Sequence, residues 1–345
     1  MCSRVAIIYN EPIPGRYAAM GEEKAVLGVL DEVTAVHQAL TDLGYEVERI
    51  PLSPPLEQVR DKLKELNADL VFNLFEGFDG CPETEAMVAN MLAESGLPYT
   101  GCPGTVLSLA LDKARTKALL EASGLATPPY QVLTPETVSR FHLSYPCIVK
   151  PCAEDASHGL SEESVVVDFA ALERQVREVS QRFGGQALVE EFVDGREFNI
   201  TILGSKEPLV LPLAEIVYSL PPEKPKILTF SAKWEPDSLY FESSKPVCPV
   251  EIDDEIRQRI AWAALGAFTL LGCSGYVRVD LRLGADGVPT IIEVNPNPDV
   301  SPDYGAAGQA RAAGMSYAQL IERIAQLALE RARLETKSKA RGRRR

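Results

Sequence analysis

The sequence lacks the patterns that mark several classes of protein. It has no run of about 18 apolar residues, so no membrane span is expected. The start, MCSRVAIIYNEP, lacks the long apolar stretch and small-residue cleavage site of a signal peptide, and we expect it to form a first β-strand. The seven cysteines are odd in number and include no CxxC pair, which argues against a disulfide framework or a structural zinc site. We therefore expect a cytoplasmic protein with reduced thiols.

Familiar phosphate-binding motifs and internal repeats are also missing, and charge is unevenly distributed. Neither a Walker A loop nor GxGxxG occurs. The net charge of the 345 residues is -14, and because the last ten carry six positive charges and no negative ones, the rest carries -20. This large negative charge on residues 1–335 argues against general nucleic-acid binding. Residues 331–345 are expected to be a basic, disordered tail, although contact with RNA or another acidic surface stays open.

Alternating strand and helix patterns fill the first hundred residues. The segments RVAIIYN, YEVERIPL, ADLVFNLFEG and LPYTG are typical of strands, and helical periodicity separates them. This order predicts a doubly wound parallel sheet, an α/β architecture. Such sheets bind ligands at the carboxyl ends of their strands, here the loops around Asn10 and around Glu76 and Asp79.

Two α+β units are predicted to follow the first sheet. The boundaries we expect are an N-terminal domain over 1–110, a central domain over 111–193 and a C-terminal domain over 194–330. The second unit is expected to begin near LALDKARTKALLEASG, and the strands include SYPCIVKP, QALVEEFV, EFNITILG and PLVLPLAEIVY. The Pro- and Ser-rich segment 219–246 is predicted to be a long loop that covers a site, since long loops in compact domains are usually functional.

The most informative segment is RVDLRLGADGVPTIIEVNPNP. Arg278 and Asp280 are two residues apart on one strand and so share a face, as Glu293 and Asn295 do on the next. Two carboxylates and an amide oxygen suit Mg²⁺, and an arginine beside them can stabilise an oxyanion or a phosphoryl group. The alternative, an exposed salt-bridged hairpin, fits less well because the intervening residues are apolar.

Lysines and glutamates in two further segments complete the candidate set. Lys150 ends a buried strand before a small polar loop, AEDASHG, and Lys113 begins a helix. A lysine so placed can meet a phosphate, although most single lysines are merely solvated. Glu190 and Glu197, in ALVEEFVDGREF, could accept hydrogen bonds from a purine amine and a ribose, or form only a charged connection.

Taken together, these motifs resemble those of D-alanine–D-alanine ligases, which belong to the ATP-grasp superfamily. LPYTG, LALDKARTKALLEASGLATP, IVKP, VEEFVDGREF, AKW, YVRVDL and EVNPNP occur in the order and rough spacing of that family, over roughly residues 70 to 320. The resemblance implies an ATP-grasp fold that holds ATP between its second and third units, and a possible homodimer through the first. It implies two Mg²⁺ ions, replaceable by Mn²⁺, at Asp280, Glu293 and Asn295. It also implies an ATP site at Lys113, Lys150, Glu190, Phe192, Glu197, Lys233 and Ile292.

The same resemblance implies roles in the reaction and marks departures. Arg278, Lys150 and Lys233 would stabilise the charge that develops. The family's Glu–Ser–Tyr trio falls at Ala25, Ala156 and Trp234, with Glu22, Glu23 and Ser157 close by. The usual glycine-loop histidine is Glu76, and the small hydroxyl residue past the metal strand is Tyr304, flanked by Asp299 and Asp303. We expect substrate contacts from Glu76, Ser157, Trp234, Asp303 and Tyr304.

The function predicted is ATP-dependent ligation of a carboxylate to an amine through an acyl phosphate. The substrates expected are amino acids or small amines, and the added acidic residues favour one that carries an extra amine or guanidinium. Three alternatives stay open: a genuine D-alanine–D-alanine ligase, a non-catalytic ATP-binding protein, and another ATP-grasp reaction on a peptide or carrier-bound acid.

Overall fold

The computed structural model describes residues 3–13, 15–154, 157–302 and 305–342, with backbone alone over 337–342. The first unit is a parallel sheet whose strand order is β2-β1-β3. Its strands are β1 (Arg4–Asn10), β2 (Glu46–Leu52) and β3 (Leu70–Leu74). Its helices are α1 (Arg16–Ala19), α2 (Glu23–Asp42), α3 (Leu56–Lys64), α4 (Thr84–Ser95), α5 (Gly104–Leu111) and α6 (Lys113–Ala122).

The second unit is a small antiparallel sheet covered by one helix. Its strands are β4 (Tyr130–Leu133), β5 (Cys147–Pro151), β6 (Val165–Val166) and β7 (Ala187–Glu191), and α7 is Phe169–Phe183. The strand order is β4-β7-β5-β6. Short 3₁₀ turns lie at Val138–Arg140 and Glu162–Ser164. Asp168 begins α7 by accepting a hydrogen bond from the Ala171 amide at 2.8 Å, a standard N-cap.

The third unit is a larger antiparallel sheet with helices at its faces and edge. Its strand order is β11-β10-β8-β12-β13, with β9 beside β8. The strands are β8 (Gly195–Gly204), β9 (Leu209–Val210), β10 (Ala214–Tyr218), β11 (Ser244–Val247), β12 (Gly275–Gly284) and β13 (Pro289–Asn295). The helices are α8 (Phe230–Trp234), α9 (Leu239–Ser243), α10 (Asp254–Leu270), α11 (Gly305–Ala312) and α12 (Tyr317–Gly342).

Buried apolar side chains form cores that connect the first and third units. One face of β1 contributes Ala6 and Ile8 to a cluster that also holds Phe198 of β8 and Val277 of β12. The opposite face packs against α2 and against residues 320–328 of α12. The central unit has a core of its own around α7, β5 and β7. Each domain range expected from the sequence holds one of the three sheets, and we keep those ranges as proposed domains.

Three local predictions differ from the structure. LPYTG forms only an isolated bridge between Tyr99 and Val71. The segment 219–246 contains α8, α9 and part of β11 instead of one long loop. The last helix continues to Gly342, where the sequence predicted a disordered tail from residue 331. By contrast, the helix predicted to begin at Lys113 is confirmed: α6 begins there, and Asp112 caps it by accepting a hydrogen bond from the Arg115 amide. Among the described residues, no helix is long and apolar enough to span a membrane.

Candidate active site

A cavity lies between the central sheet and the third sheet, and it is lined with charged residues from both. The predicted ATP, metal and substrate residues that line it are Lys113, Lys150, Ser157, Glu190, Phe192, Glu197, Lys233, Asp280, Ile292 and Glu293. They come from α6, β5, the loop after β5, β7, β8, α8, β12 and β13. Residues up to 180 positions apart in the sequence thus face one space.

Glu190 of β7 anchors two lysines at the back of this cavity. Its Oε1 lies 2.5 Å from Lys117 Nζ and its Oε2 lies 2.7 Å from Lys150 Nζ. Burial works to raise the pKa of the Glu190 carboxyl, but the two lysines outweigh it and hold that pKa below its usual value. Burial lowers the pKa of Lys117 to about 8, against the opposing pull of Glu190. Each carboxylate oxygen retains a second lone pair, so Glu190 can still accept a further hydrogen bond.

Glu293 of β13 pairs with Lys113 at the start of α6. Burial works to raise the pKa of Glu293, but Lys113, Lys150 and Lys233 together lower it to about 2. Lys233 itself is drawn toward the neutral form, because burial and the nearby Arg278 lower its pKa. The lysines therefore surround a carboxylate that stays ionised at any physiological pH.

Arg278 and Asp280 share a face of β12, as the spacing predicted. Arg278 donates from Nε to Asp280 Oδ1 at 2.8 Å and from Nη2 to Oδ2 at 3.0 Å. Asn199 of β8 donates to Asp280 Oδ1 at 2.7 Å. On β13, Glu293 is paired in register with Asp280, and Asn295 with Arg278. The four residues are thus brought together across one hairpin.

The oxygen atoms of this hairpin suit a magnesium ion whose other ligands come from a nucleotide and water. Nowhere in the described chain do three or more His, Cys, Asp or Glu side chains gather as a metal site. Two carboxylates and one amide remain, and Mg²⁺ is commonly held by one or two carboxylates together with phosphate oxygens. Asp280 already pairs with Arg278, and Glu293 already pairs with Lys113. Both carboxylates are therefore placed where a positive charge is stabilised.

Glu197 of β8 is held in place by two residues that the sequence did not single out. Arg282 Nη2 donates to Glu197 Oε2 at 2.6 Å, and the Tyr218 hydroxyl donates to the same oxygen at 2.8 Å. Arg282 also donates to the carbonyl of Val193 at 3.0 Å and to that of Lys226. Its guanidinium lies over the Phe192 ring, 4.8 Å from the centroid. Arg282 therefore connects three parts of the chain: Val193 between β7 and β8, the cavity carboxylate of Glu197, and Lys226 in the segment before α8.

The predicted substrate residues do not all lie at the cavity. Ser157 lines it with a φ of 62°, in the left-handed region that non-glycine residues rarely adopt. Trp234 follows Lys233 on α8, and its indole packs close to Gly28 of α2, leaving no room there for a side chain. Glu76 is exposed at the end of β3, where its amide donates to Asn10 Oδ1 at 3.3 Å. Asp303, Tyr304 and Ala156 lie outside the described residues.

One buried acidic residue meets two others near the ends of β3 and β13. Glu32 of α2 is 4% exposed, and its Oε1 accepts a hydrogen bond from the Val300 amide at 2.8 Å. Burial raises the pKa of Glu32 well above its usual range, and Asp299 and Glu76 add to the rise. Sequence analysis had identified Glu76 and Asp299 here but missed Glu32, whose position in an amphipathic helix gave no sign that it faces inward.

Comparison with known proteins decides the family. A sequence profile described as "D-ala D-ala ligase C-terminus" matches residues 119–326. The chain belongs to the D-alanine–D-alanine ligase family. A D-alanine–D-alanine ligase of Desulforudis audaxviator is 32% identical over 303 residues, which cover 86% of this chain and 92% of that protein. An uncharacterized protein of Sinorhizobium fredii, y4sG, is 34% identical over 264 residues, 76% of this chain and 75% of that one.

The fold agrees with that family. The crystal structure of D-alanine–D-alanine ligase from Bacillus anthracis complexed with ATP superposes with a TM-score of 0.74 at 21% identity, covering 97% of this chain and 99% of that one. The ATP-grasp fold and the family predicted from the sequence are thus confirmed. As a member of this D-alanine–D-alanine ligase family, the chain is an ATP-dependent ligase that forms ADP and phosphate and uses a divalent metal ion.

Proposed function

We propose that this ligase joins the carboxyl group of one amino acid or related small molecule to the amine of another, with an acyl phosphate between the two steps. The observation that supports it is the cavity between the central and third sheets, where three lysines face two carboxylates on one hairpin. Such a set can neutralise a triphosphate and bind its metal, while leaving an arginine for the reacting carbonyl.

Each residue group has a separate role in this proposal. ATP, bound with Mg²⁺, supplies the phosphoryl group and the charge shielding that transfer needs. Asp280, Glu293 and Asn295 would hold two ions, for which Mn²⁺ can substitute. Lys113, Glu190, Phe192, Glu197 and Ile292 would hold the nucleotide. Lys150 and Lys233 neutralise charge on the moving phosphoryl group, and Arg278 holds the oxyanion that forms when the amine attacks.

Replacing Arg278 tests this assignment. Arg278→Ala should lower turnover by about 10²–10³-fold, the usual loss when one oxyanion donor is removed. The dissociation constant for ATP should change little, because the lysines and Glu190 remain. Turnover is followed by phosphate release, and ATP binding by calorimetry. Arg196→Ala is the control, since Arg196 is the more exposed partner in an ion pair with Glu215 away from the cavity. Unchanged turnover in Arg278→Ala would remove Arg278 from the reaction.

A second proposal concerns the substrate: one of the two carries an amine or guanidinium beyond the reacting group. Glu32, Glu76 and Asp299 place three carboxyl groups near one another, and the last two raise the cost of ionising the buried Glu32. A bound cation would lower that cost. The added acidity is the basis for proposing a substrate pocket that differs from that of a D-alanine ligase.

The experiment is a panel of single and paired L- and D-amino acids and small amines, incubated with the protein, ATP and Mg²⁺. Phosphate release is measured, and the products are identified by mass spectrometry. We expect basic amino acids to outperform neutral ones; the reverse order would contradict the cationic substrate. Release with D-alanine alone, plus its dipeptide, would instead identify a genuine D-alanine–D-alanine ligase. ATP binding without release across the panel would favour a larger carrier-bound substrate or a non-catalytic role.

Association through the first unit is also proposed. Leu27 and Leu30 lie on α2 with 50% and 41% of their surface exposed, and neighbouring positions on a helix can form a contact patch. Light scattering should give twice the mass of the 37.6 kDa chain. A monomer at micromolar concentration would contradict the homodimer without touching the proposed reaction.

A further inference from the structure

Asn297, in the segment that follows β13, is held by the first and third units at once. Its Oδ1 accepts a hydrogen bond from the Tyr276 hydroxyl of β12 at 2.7 Å, and its Nδ2 donates to Glu85 Oε1 of α4 at 3.0 Å. Tyr276 and Asn297 are both buried. The second contact joins residues 212 positions apart in the chain. None of the three residues has a role in the reaction proposed above.

The two partners of Asn297 differ in hydrogen-bonding character, and this fixes the orientation of its carboxamide. A carboxylate can only accept, so the amide nitrogen is the group that faces Glu85. Burial raises the pKa of Tyr276 well above its usual value, and Glu32 and Glu85 add to the rise, so the hydroxyl keeps the proton that it donates. A flipped carboxamide would set its oxygen against the Glu85 carboxylate.

The backbone of Asn297 in turn fixes the side chain of Asn295. The Asn297 amide donates to Asn295 Oδ1 at 3.1 Å. Pro296 and Pro298 have no amide hydrogen, so Asn297 carries the one backbone donor of the segment 296–298. Both prolines are buried and have a restricted φ, which leaves this donor little freedom to move. The contacts of the Asn297 side chain therefore also determine where the Asn295 oxygen lies.

That oxygen is the atom through which Asn295 would bind a metal ion. Mg²⁺ takes oxygen ligands, whereas a carboxamide presents an oxygen or a nitrogen depending on how it is turned. An amide oxygen that accepts one hydrogen bond keeps a second lone pair for a cation. Asn295 shares a face of β13 with Glu293, which is paired in register with Asp280 across the hairpin. The Asn297 amide therefore selects the orientation in which Asn295 can contribute to a metal site.

From these contacts we propose that Asn297 is a positioning residue of the metal site, and that through Tyr276 and Glu85 it makes metal affinity depend on the placement of α4. This inference rests on the proposed function, which assigns Asn295 to the metal. Residues that hydrogen-bond to a metal ligand restrict its orientation, and their loss usually weakens metal binding by about 10–100-fold. Since α4 belongs to the first unit, a shift of that unit against the third sheet would change the affinity for the metal.

Nucleotide binding with and without metal measures this contribution in the absence of turnover. Calorimetry on the full chain gives the dissociation constant of a non-hydrolysable ATP analogue, once with Mn²⁺ and once with EDTA. The wild type should bind the analogue more tightly with Mn²⁺, and the ratio of the two constants is the metal gain. Asn297→Ala should reduce the metal gain by about tenfold, while the constant in EDTA stays within about twofold of the wild type.

Further variants test the two side-chain partners separately. Glu85→Gln keeps an oxygen that can accept from Asn297 Nδ2 and should retain most of the metal gain. Glu85→Leu removes that acceptor and should reduce the gain by about fivefold, the effect of about one hydrogen bond. Tyr276→Phe removes the hydroxyl, keeps the packing of a buried ring and should lose a similar factor. The matched controls are Asn67→Ala and Glu94→Leu, both at exposed positions.

The outcomes separate this inference from the proposed function. A metal gain in Asn297→Ala equal to that in Asn67→Ala would overturn the positioning role. Equal weakening with Mn²⁺ and in EDTA would overturn it too, because it would show general damage to the nucleotide site. A loss in Asn297→Ala but not in Glu85→Leu would overturn the dependence on α4. A wild type with no metal gain would defeat the proposed metal site itself, and this inference with it.

Discussion

Most buried carboxylates in this molecule face a cation, and Glu32 is different. Glu22, Glu190 and Glu197 each pair with arginine, lysine or histidine, which offsets the cost of removing their charge from water. Glu32 instead meets the carboxyl groups of Asp299 and Glu76. Because burial and these neighbours raise its pKa well above the usual range, Glu32 retains its proton in the folded protein at a pH where the unfolded chain has lost it.

Glu32→Gln should therefore raise the melting temperature at pH 8 and leave it nearly unchanged at pH 4.5. The folded state binds a proton that the unfolded state releases above about pH 4.5, so the wild type loses stability as the pH rises through that window. Glutamine mimics the protonated acid and keeps an oxygen for the Val300 amide. Calorimetric melting at both pH values checks this, with Glu23→Gln, exposed on the same helix, as control. A lower melting temperature for Glu32→Gln at pH 8 would contradict the protonated state.

Single residues were predictable from sequence only where a pattern set them apart. Arg278, Asp280, Glu293 and Asn295 alternate with apolar residues on two joined strands, so period two alone placed them on one face. No comparable sequence pattern identified Lys117 as a site residue. It lies four positions after Lys113 on α6, and that spacing put both on one side of the helix. Its partner, Glu190, is on a strand that local patterning could not bring to it.

At the scale of elements, long strands and helices followed from hydrophobic periodicity, and short ones did not. The strand segments RVAIIYN and EFNITILG and the helical pattern of α7 match β1, β8 and α7. The five-residue helices α8 and α9 were missed, because they lie in a Pro-rich segment and contain little more than one turn each. Their starts are marked by Thr229 and Ser238, whose hydroxyls accept from the Ala232 and Phe241 amides.

Arg282→Met should weaken ATP binding more than amino-acid binding. Arg282 donates hydrogen bonds to Glu197 on β8 and to the carbonyl of Lys226 in the segment before α8. Its replacement removes the contact that positions Glu197 and the contact that holds this segment. We expect the KM for ATP to rise about tenfold, the effect of losing roughly one charged hydrogen bond, while amino-acid KM values stay within about twofold. Stability should fall by about 3–5 kcal/mol, the usual cost of breaking a buried ion pair from one side.

Tyr218→Phe separates the two contributions to that result. It removes one hydrogen bond to Glu197 Oε2 but keeps the arginine, so both effects should be smaller. Steady-state kinetics and urea denaturation measure them. If both KM values rose together in Arg282→Met, the arginine would serve general stability instead of nucleotide placement.

At the scale of the whole molecule, α12 holds the first and third units together. Arg331 donates to the carbonyls of Tyr99 and Gly101, both at 2.7 Å, and to Ser274 Oγ at 3.0 Å. Its guanidinium lies over the Tyr99 ring, 4.4 Å from the centroid. No sequence pattern predicts this junction, since the domain boundaries expected from the sequence place Tyr99, Ser274 and Arg331 in three separate ranges.

Arg331→Met should lower the free energy of unfolding by about 2–3 kcal/mol, because hydrogen bonds to a charged group are lost while the stem still packs. Arg333→Met, exposed on the same helix, should change it by less than about 0.5 kcal/mol. Guanidinium titrations measure both variants. Equal values for the two would show that the Arg331 contacts add nothing. A second transition in Arg331→Met alone would mean that α12 unfolds separately.

The packing of α12 also bears on the order in which a ribosome delivers this chain. One face of β1 and β3 is covered by α2 together with residues 320–328, so this face stays uncovered until the central and third sheets have been synthesised. The central unit, with a core drawn from its own residues, needs no such partner. During translation the central unit can therefore fold before the parallel sheet does. Until residues 320–328 emerge, the uncovered apolar face of that sheet is the surface that a chaperone would bind.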